Sequence, residues 1–299
     1  MACPAQRTST RRPKGEGRPI GGRWPAFSSG RLFGLTCAIR LPKLAGQESK
    51  WAQCGGNLPR QRTAASMNPT PEPHFDRYAR SYRDLHRDSV RLSGEEPEYF
   101  AAYKVDHIAD QLGPDMARQA LDILDFGCGV GTSIPHLLSA FPQGRVHGLD
   151  VSGESIEQAS AAHPNATFGL IGETGLPLPD HSIDVVMAAC VYHHIAPAER
   201  ERWTRELHRV LKPGGHCFIF EHNPLNPVTR RVVKDCPFDD DAILLPRRET
   251  LDLFEQSGFS HRRLSYIVFF PKALAFLRPL ERLMSKLPLG AQYVVHGRA

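Results

Sequence analysis

From residue 121 onward, short apolar runs alternate with amphipathic segments, and this alternation limits the possible folds more than any other feature. The predicted strands cover residues 121–126, 146–151, 167–171, 183–189, 216–221, 264–270 and 293–296. The predicted helices between them cover residues 133–140, 155–162, 200–211 and 247–256. Parallel strands need long crossover connections, which usually carry a helix. The alternation predicts an α/β fold with a doubly wound, mostly parallel seven-stranded sheet.

The last two predicted strands lack an ordinary helical crossover. Residues 271–290 lie between them and have the pattern of an amphipathic segment outside the sheet. We therefore expect the final strand to run antiparallel to the others. Upstream of the sheet, apolar spacing predicts a helix through Phe75, Tyr78, Tyr82 and Leu85, and another over 99–112.

Residues 1–66 differ in composition from the rest of the chain. They hold 12 Lys and Arg against two acids, whereas the remaining residues carry 25 basic and 30 acidic side chains, a net charge of −5. We expect 1–66 to be a basic, disordered extension and 67–299 to be one folded domain. The extension reads either as a targeting segment or as residues before a translation start at Met67. A mildly acidic domain argues against a nucleic-acid partner.

Cysteine usage and hydropathy bear on the compartment. The seven cysteines include no C-x-x-C pair, so neither a disulfide framework nor a zinc site is predicted. No apolar run approaches the roughly 18 residues of a spanning helix, and we expect a cytoplasmic protein.

The first strand runs into a glycine-rich turn and then a helix. Asp125 precedes Gly127, Cys128, Gly129 and Gly131 in this turn. Glycines allow close approach of the backbone to a ligand, and the following helix start offers free N–H groups. The spacing is G-x-G-x-G, whereas the dinucleotide fingerprint is G-x-G-x-x-G.

An acid closes the second strand. Asp150, followed by Val151, lies 19 residues after Gly131, close to the offset at which an acid meets a ribose in nucleotide-binding folds. Its two oxygens can accept two hydroxyl protons at once. The alternative is a helix-capping acid beside Ser152.

These motifs, with the Lys212-Pro213-Gly214-Gly215 turn before the fifth strand, resemble the class I S-adenosylmethionine-dependent methyltransferases. The resemblance implies S-adenosylmethionine as cofactor and direct in-line methyl transfer. It also places Glu173 at the adenine amino group and Tyr82 or Tyr78 against the sulfonium. A solvated Glu173 and core packing of the tyrosines are equally consistent with the sequence. A nicotinamide-dependent oxidoreductase and a non-catalytic cofactor-binding protein are the alternatives.

The segment after the fourth strand carries the candidate catalytic residues. His193 or His194 could serve as general base, since imidazole titrates near neutrality, although paired histidines at a strand end are also common structural elements. We predict no metal site, because the acids at 239–241 are distant in sequence.

The methyl acceptor is predicted to be a small molecule or a lipid-linked compound. Methyltransferases that act on the amino groups of nucleic-acid bases resemble one another in an Asp/Asn-Pro-Pro-aromatic motif after the fourth strand. This sequence lacks that motif, so no nucleic-acid partner is expected. Residues 271–290 mix four basic side chains with eight Leu, Phe and Met side chains, a composition that permits peripheral contact with an anionic membrane. The alternative is packing on the protein's own domain. The sequence does not determine the oligomeric state.

Overall fold

A seven-stranded mixed sheet forms the centre of the protein. The computed structural model describes Asp76 and residues 82–299, except for the side chains of Tyr82, Arg83 and Phe238. Its strands are β1 (Asp122–Phe126), β2 (Arg145–Asp150), β3 (Thr167–Leu170), β4 (Ile183–Ala189), β5 (Leu211–His222), β6 (Ser260–Ile267) and β7 (Gln292–Arg298). Their order is β3-β2-β1-β4-β5-β7-β6, and only β7 runs antiparallel to its neighbours. The predicted fold class and the antiparallel final strand are confirmed.

Helices cover both faces of this sheet. They are α1 (Tyr82–Val90), α2 (Pro97–Leu112), α3 (Pro114–Ala117), α4 (Ile134–Ala140), α5 (Gly153–Ala162), α6 (Pro197–Val210), α7 (Pro227–Lys234), α8 (Arg247–Gln256) and α9 (Glu281–Met284). Short 3₁₀ turns occupy Arg91–Ser93, Tyr192–His194, Pro237–Asp239 and Lys272–Leu280.

The core is divided by the sheet into two layers. Successive strand residues point to opposite faces, so Ile123 and Leu124 of β1 enter different apolar clusters. Ile123 packs with residues of α2 and α4, such as Ile108 and Leu137, whereas Leu124 shares a cluster with Leu207 of α6. All five residues of β1 are buried, as expected for a central parallel strand covered on both faces.

Side chains fix the starts of two helices, α5 after β2 and α7 after β5. Ser152 caps α5 by accepting a hydrogen bond from the N–H of Ser155 at 3.1 Å. The Asn226 amide oxygen accepts from the N–H groups of Val228 and Thr229 at 2.9 and 3.1 Å, and Pro227 occupies the first turn of α7. Each cap satisfies N–H groups that would otherwise lack partners.

Three predicted elements differ from the structure. The fifth strand begins at Leu211 rather than at 216, so it includes the Lys212-Pro213-Gly214-Gly215 segment that was predicted to be a turn. The sixth strand ends at Ile267 rather than at 270, because Val268 has a φ of +59° and turns Phe269 and Phe270 out of the sheet. Residues 271–290 do not form one continuous helix. Pro279 and a non-helical Leu274 limit the segment to the 3₁₀ turn Lys272–Leu280 followed by the four-residue helix α9.

Several predictions fall outside the part of the chain that the structure describes. These are the extension at 1–66, the aromatic residues Phe75 and Tyr78, and the contact proposed for the Tyr82 side chain. Within the described residues, no helix combines the length and apolar character needed to cross a bilayer.

Candidate active site

The glycine turn after β1 leaves room for a ligand. Gly127 and Gly129 have φ values of +73° and +51°, a region that side-chain-bearing residues rarely adopt. A Cβ atom at Gly127 would lie 2.5 Å from Val191 Cγ2, so this glycine is required for close packing. A Cβ at Gly129 would meet no atom within 4 Å, which means that the turn borders empty space at this residue.

Asp150 joins the end of β2 to this turn. Its Oδ2 accepts the N–H of Gly129 at 2.8 Å, and its Oδ1 accepts the N–H of Ser152 at 2.9 Å. Burial raises the pKa of Asp150, and these two N–H donors partly oppose that effect. Each oxygen keeps a second lone pair, so the carboxylate can still accept hydroxyl groups from a ligand. Ser152, not Asp150, caps α5, and the capping alternative is therefore wrong.

Asp125 brings a second carboxylate to the same place. It is 2% exposed, and its Oδ2 has no hydrogen-bond partner among the described residues. Burial, together with the nearby charge of Asp150, raises the pKa of Asp125 to about 7. A buried carboxylate oxygen without a partner is costly, so this geometry favours a ligand that brings a cationic donor.

One cavity of about 680 Å³ extends from these groups to His193, His194 and Asp239. The glycine turn, Asp125 and Asp150 line one end of it. Apolar side chains line much of the remainder, including Phe100, Trp203 and Phe269. The cavity lies at the carboxyl ends of the parallel strands, which is where open α/β sheets bind their ligands.

Histidines and acids form the polar wall of the second end. His193, in the 3₁₀ turn after β4, is 2% exposed, and its Nδ1 lies 2.7 Å from Oε2 of Glu221 at the end of β5. The other Glu221 oxygen accepts the N–H of Tyr192 at 2.8 Å, which holds the turn in place. His193 Nε2 faces Oδ1 of Asp239 at 3.5 Å.

This arrangement disfavours His193 as a general base. Both of its ring nitrogens face carboxylates, so neither is left to take a proton from a substrate. Burial lowers the pKa of His193, but Glu221 and Asp239 outweigh it and raise the value to about 10. An imidazole that is already protonated near neutrality cannot take a proton. The prediction of a base role for His194 is also not supported by its geometry, because Asp241 lies 3.1 Å from its Nδ1 and Asp239 lies 3.3 Å from its Nε2.

Most of the sequence-predicted cofactor residues line the cavity. Asp125, Gly127, Cys128, Gly129, Asp150 and Val151 do so, as do the predicted catalytic residues His193 and His194. Gly131 instead packs against α5, where a Cβ would lie 2.8 Å from the His163 ring. Glu173 is exposed in a turn outside the cavity, so the structure does not bring it to the site as the sequence predicted.

Sequence reasoning missed a lysine in the cavity. Lys104 of α2 lines it and is 7% exposed, and among the described residues its ammonium makes no ion pair within 4.0 Å. Its neighbours Ala101, Val105 and Ile108 form the buried stripe of α2. A lysine at a core position of an amphipathic helix is the signal that could have identified it.

The sequence places the acids at 239–241 far from the two histidines, but the structure brings Asp239 next to them. The loop that carries them is attached to the site by the Ile243 N–H, which donates to the His193 carbonyl at 2.8 Å. Buried Arg200 donates to the Ile243 carbonyl, also at 2.8 Å. These bonds bring Asp239 next to both histidines.

Comparison with known proteins agrees with the fold. Residues 123–215, which hold the glycine turn, Asp150 and both histidines, match a family described as a methyltransferase domain. An uncharacterized 37.1 kDa protein in transposon Tn4556 of Streptomyces fradiae is 36% identical over 221 residues, 66% of this chain and 63% of that protein. The demethylmenaquinone methyltransferase of Chlorobaculum parvum is 30% identical over 162 residues, 54% of this chain and 64% of that enzyme.

A solved structure shares the fold. It is a methyltransferase of Thermotoga maritima that depends on S-adenosylmethionine and is described as a possible histamine N-methyltransferase. Its TM-score is 0.53 at 19% identity, over 75% of this chain and 98% of that one. The chain spans less than two thirds of the length of the two curated relatives.

Residues 123–215 form a methyltransferase domain of the class I S-adenosylmethionine-dependent family. The predicted cofactor class, S-adenosylmethionine rather than a nicotinamide dinucleotide, is confirmed.

Proposed function

We propose that this protein transfers a methyl group from S-adenosylmethionine to an apolar small molecule or a lipid-like acceptor. The observation that carries the proposal is the shape and lining of one cavity. Its glycine-turn end presents two buried carboxylates, and apolar side chains line much of the remaining wall beside the polar group of His193, His194 and Asp239.

The glycine-turn end fits S-adenosylmethionine. The Asp125 oxygen that lacks a partner suits the cationic methionine portion, and the free lone pairs of Asp150 suit the ribose hydroxyls. The space beside Gly129 admits the ligand against the backbone, and Val151 offers an apolar surface to the adenine. When bound, the cofactor supplies a methyl group on a positively charged sulfur.

The chain's own residues contribute position and exclusion of water. The apolar walls keep water from the reacting groups, and a fixed cavity holds an acceptor in line with the donor. Burial raises the pKa of the Cys128 and Cys190 thiols, so neither is activated as a nucleophile. Direct transfer to the acceptor is therefore favoured over a covalent route.

The rim of the cavity favours an apolar acceptor. Leu92 and Val228 are 72% and 61% exposed and also line the cavity. The Chlorobaculum relative is named as acting on demethylmenaquinone, which supports a lipid-like acceptor here.

We also propose peripheral contact with a membrane through 271–290, for a protein otherwise located in the cytoplasm. Phe276 and Leu283 of this segment are 74% and 83% exposed. Two of its four cations are engaged within the domain, since Arg278 pairs with Glu95 at 2.5 Å and Arg282 with Asp110 at 2.7 Å. The contact therefore depends mainly on apolar side chains.

A methyl-transfer screen tests the proposal. Purified protein and S-adenosylmethionine carrying a labelled methyl group are incubated with hydroxylated quinone-like lipids, sterols and small polar amines. We expect label in the apolar acceptors and little in the amines. Binding of the cofactor without transfer to any member of the panel would contradict the proposal and support a non-catalytic binding protein.

A further inference from the structure

Two histidines and one aspartate converge at the second end of the cavity. His193 Nε2 and His194 Nε2 lie 3.5 and 3.3 Å from the same atom, Asp239 Oδ1. One ligand atom from each of these three residues lies within 4.8 Å of the other two. All three side chains line the cavity, so a species held between them would be accessible to a bound acceptor.

The spacing suits metal ligands better than hydrogen bonds. Asp239 Oδ1 is buried and has no hydrogen-bond partner among the described residues, although two imidazole nitrogens face it. Good N–H···O bonds are about 2.7–3.2 Å long, shorter than either separation. Ligands bound at about 2.0–2.2 Å around one ion lie about 3.0–3.5 Å apart, which matches both distances.

Each histidine is also oriented by a separate carboxylate. Glu221 lies 2.7 Å from Nδ1 of His193, and Asp241 lies 3.1 Å from Nδ1 of His194. Metal-binding histidines usually donate their second ring N–H to such a partner, which fixes the tautomer and directs the other nitrogen at the ion. Both histidines have this arrangement, and in both the nitrogen that would bind an ion is Nε2, from which the ion displaces the proton that the imidazole otherwise holds.

The local charge favours a cation. Glu221, Asp239 and Asp241 place three carboxylates around two imidazoles. The loop carrying two of these acids is fixed by the hydrogen bonds of Ile243 to His193 and Arg200. These hydrogen bonds hold Asp239 in position beside the two histidines.

We propose that His193, His194 and Asp239 bind one divalent transition-metal ion, of the class that prefers two imidazoles and a carboxylate, such as Zn²⁺, Fe²⁺ or Mn²⁺. Three protein ligands leave further coordination positions, and these face the cavity. If the proposed methyltransferase function holds, an oxygen of a hydroxylated acceptor occupies one of these positions and is oriented by the ion. Metal binding itself does not depend on that function.

Cobalt titration of the full chain tests the site. The protein is stripped with a chelator, and Co²⁺ is added while the visible absorption of the ion and the melting temperature are followed. We expect one equivalent of Co²⁺ with a coordination spectrum and a raised melting temperature. Asp239→Asn and His194→Gln should each weaken binding about 100-fold or more.

Asp235→Asn is the matched control, because this acid is exposed and pairs only with Arg231 among the described residues. It should bind Co²⁺ as the native protein does. Equal binding by native protein, Asp239→Asn and His194→Gln would overturn the proposal, as would the lack of any cobalt spectrum in native protein.

Calorimetry with S-adenosylmethionine separates this proposal from the function. Asp239→Asn should bind the cofactor normally, since Asp239 belongs to the other end of the cavity, and normal binding also shows that the variant is folded. Cobalt binding without cofactor binding would contradict the function alone, and the reverse result would contradict the metal site alone.

Discussion

Asp125 is the residue whose burial is hardest to explain without a ligand. The pKa of its carboxyl lies near 7 in the folded protein, well above its ordinary value of 3.8. Between those values the folded protein holds a proton that the unfolded chain has released. Stability therefore falls as the pH rises from about 4 to about 7, and the full cost is present above pH 7.

We predict that Asp125→Asn stabilises the ligand-free protein at pH 8 by about 2–4 kcal/mol and has little effect near pH 4. The same substitution should weaken S-adenosylmethionine binding at least about tenfold, because the cationic ligand loses its carboxylate. Urea unfolding at both pH values and calorimetry measure the two effects. Exposed Asp115 provides the control substitution, Asp115→Asn, which should change neither. Destabilisation of Asp125→Asn at pH 8 would contradict this account.

The two glycines at 127 and 129 should respond differently to alanine. Gly127→Ala places a Cβ 2.5 Å from Val191 in a strained conformation, so we expect about 2–4 kcal/mol of destabilisation. Gly129→Ala meets no protein atom within 4 Å, so its cost should be only about 1–2 kcal/mol of backbone strain. It should nevertheless weaken cofactor binding, because its methyl group enters the ligand space. Chemical denaturation and calorimetry compare the pair, and equal destabilisation would refute the assignment of Gly129 to the cavity wall.

At the scale of elements, the segment between β6 and β7 connects the cavity rim to a surface with exposed apolar side chains. We predict that the native protein sediments with anionic liposomes and that the double substitution Phe276→Ser and Leu283→Ser reduces the bound fraction several-fold. Leu170→Ser is the control, since Leu170 is 53% exposed on β3 at the opposite edge of the sheet. Unchanged binding of the double variant, or no binding of native protein, would exclude this contact.

The strands of the central sheet could be predicted because their apolar runs are buried on both faces. β4 was predicted to the residue, since all of its interior positions are apolar or packed. β6 was misplaced because it is an edge strand whose first half, Ser260–Arg263, is polar and exposed, while the apolar residues 268–270 leave the sheet. Edge strands need no apolar residue on the solvent side, so hydropathy locates them poorly.

For the whole molecule, the glycine-turn end of the cavity was predictable and the end with His193 and Asp239 was not. Asp125, Gly129 and Asp150 lie within one supersecondary unit, so their spacing in the sequence determines their spacing in space. Asp239 reaches His193 only through a loop fixed by Arg200 and Ile243, and no local pattern encodes such a contact. Long-range hydrogen bonds of this kind require the structure.

Calorimetric titration with S-adenosylmethionine tests the central claim most directly. The native protein should bind one equivalent, and Asp150→Asn should bind at least about tenfold more weakly, because an amide cannot accept both ribose hydroxyls while it also meets two backbone N–H groups. Asp252→Asn, an exposed acid on α8, should bind like the native protein, and melting curves verify that each variant is folded. No binding by the native protein, or equal affinity in Asp150→Asn, would contradict the account.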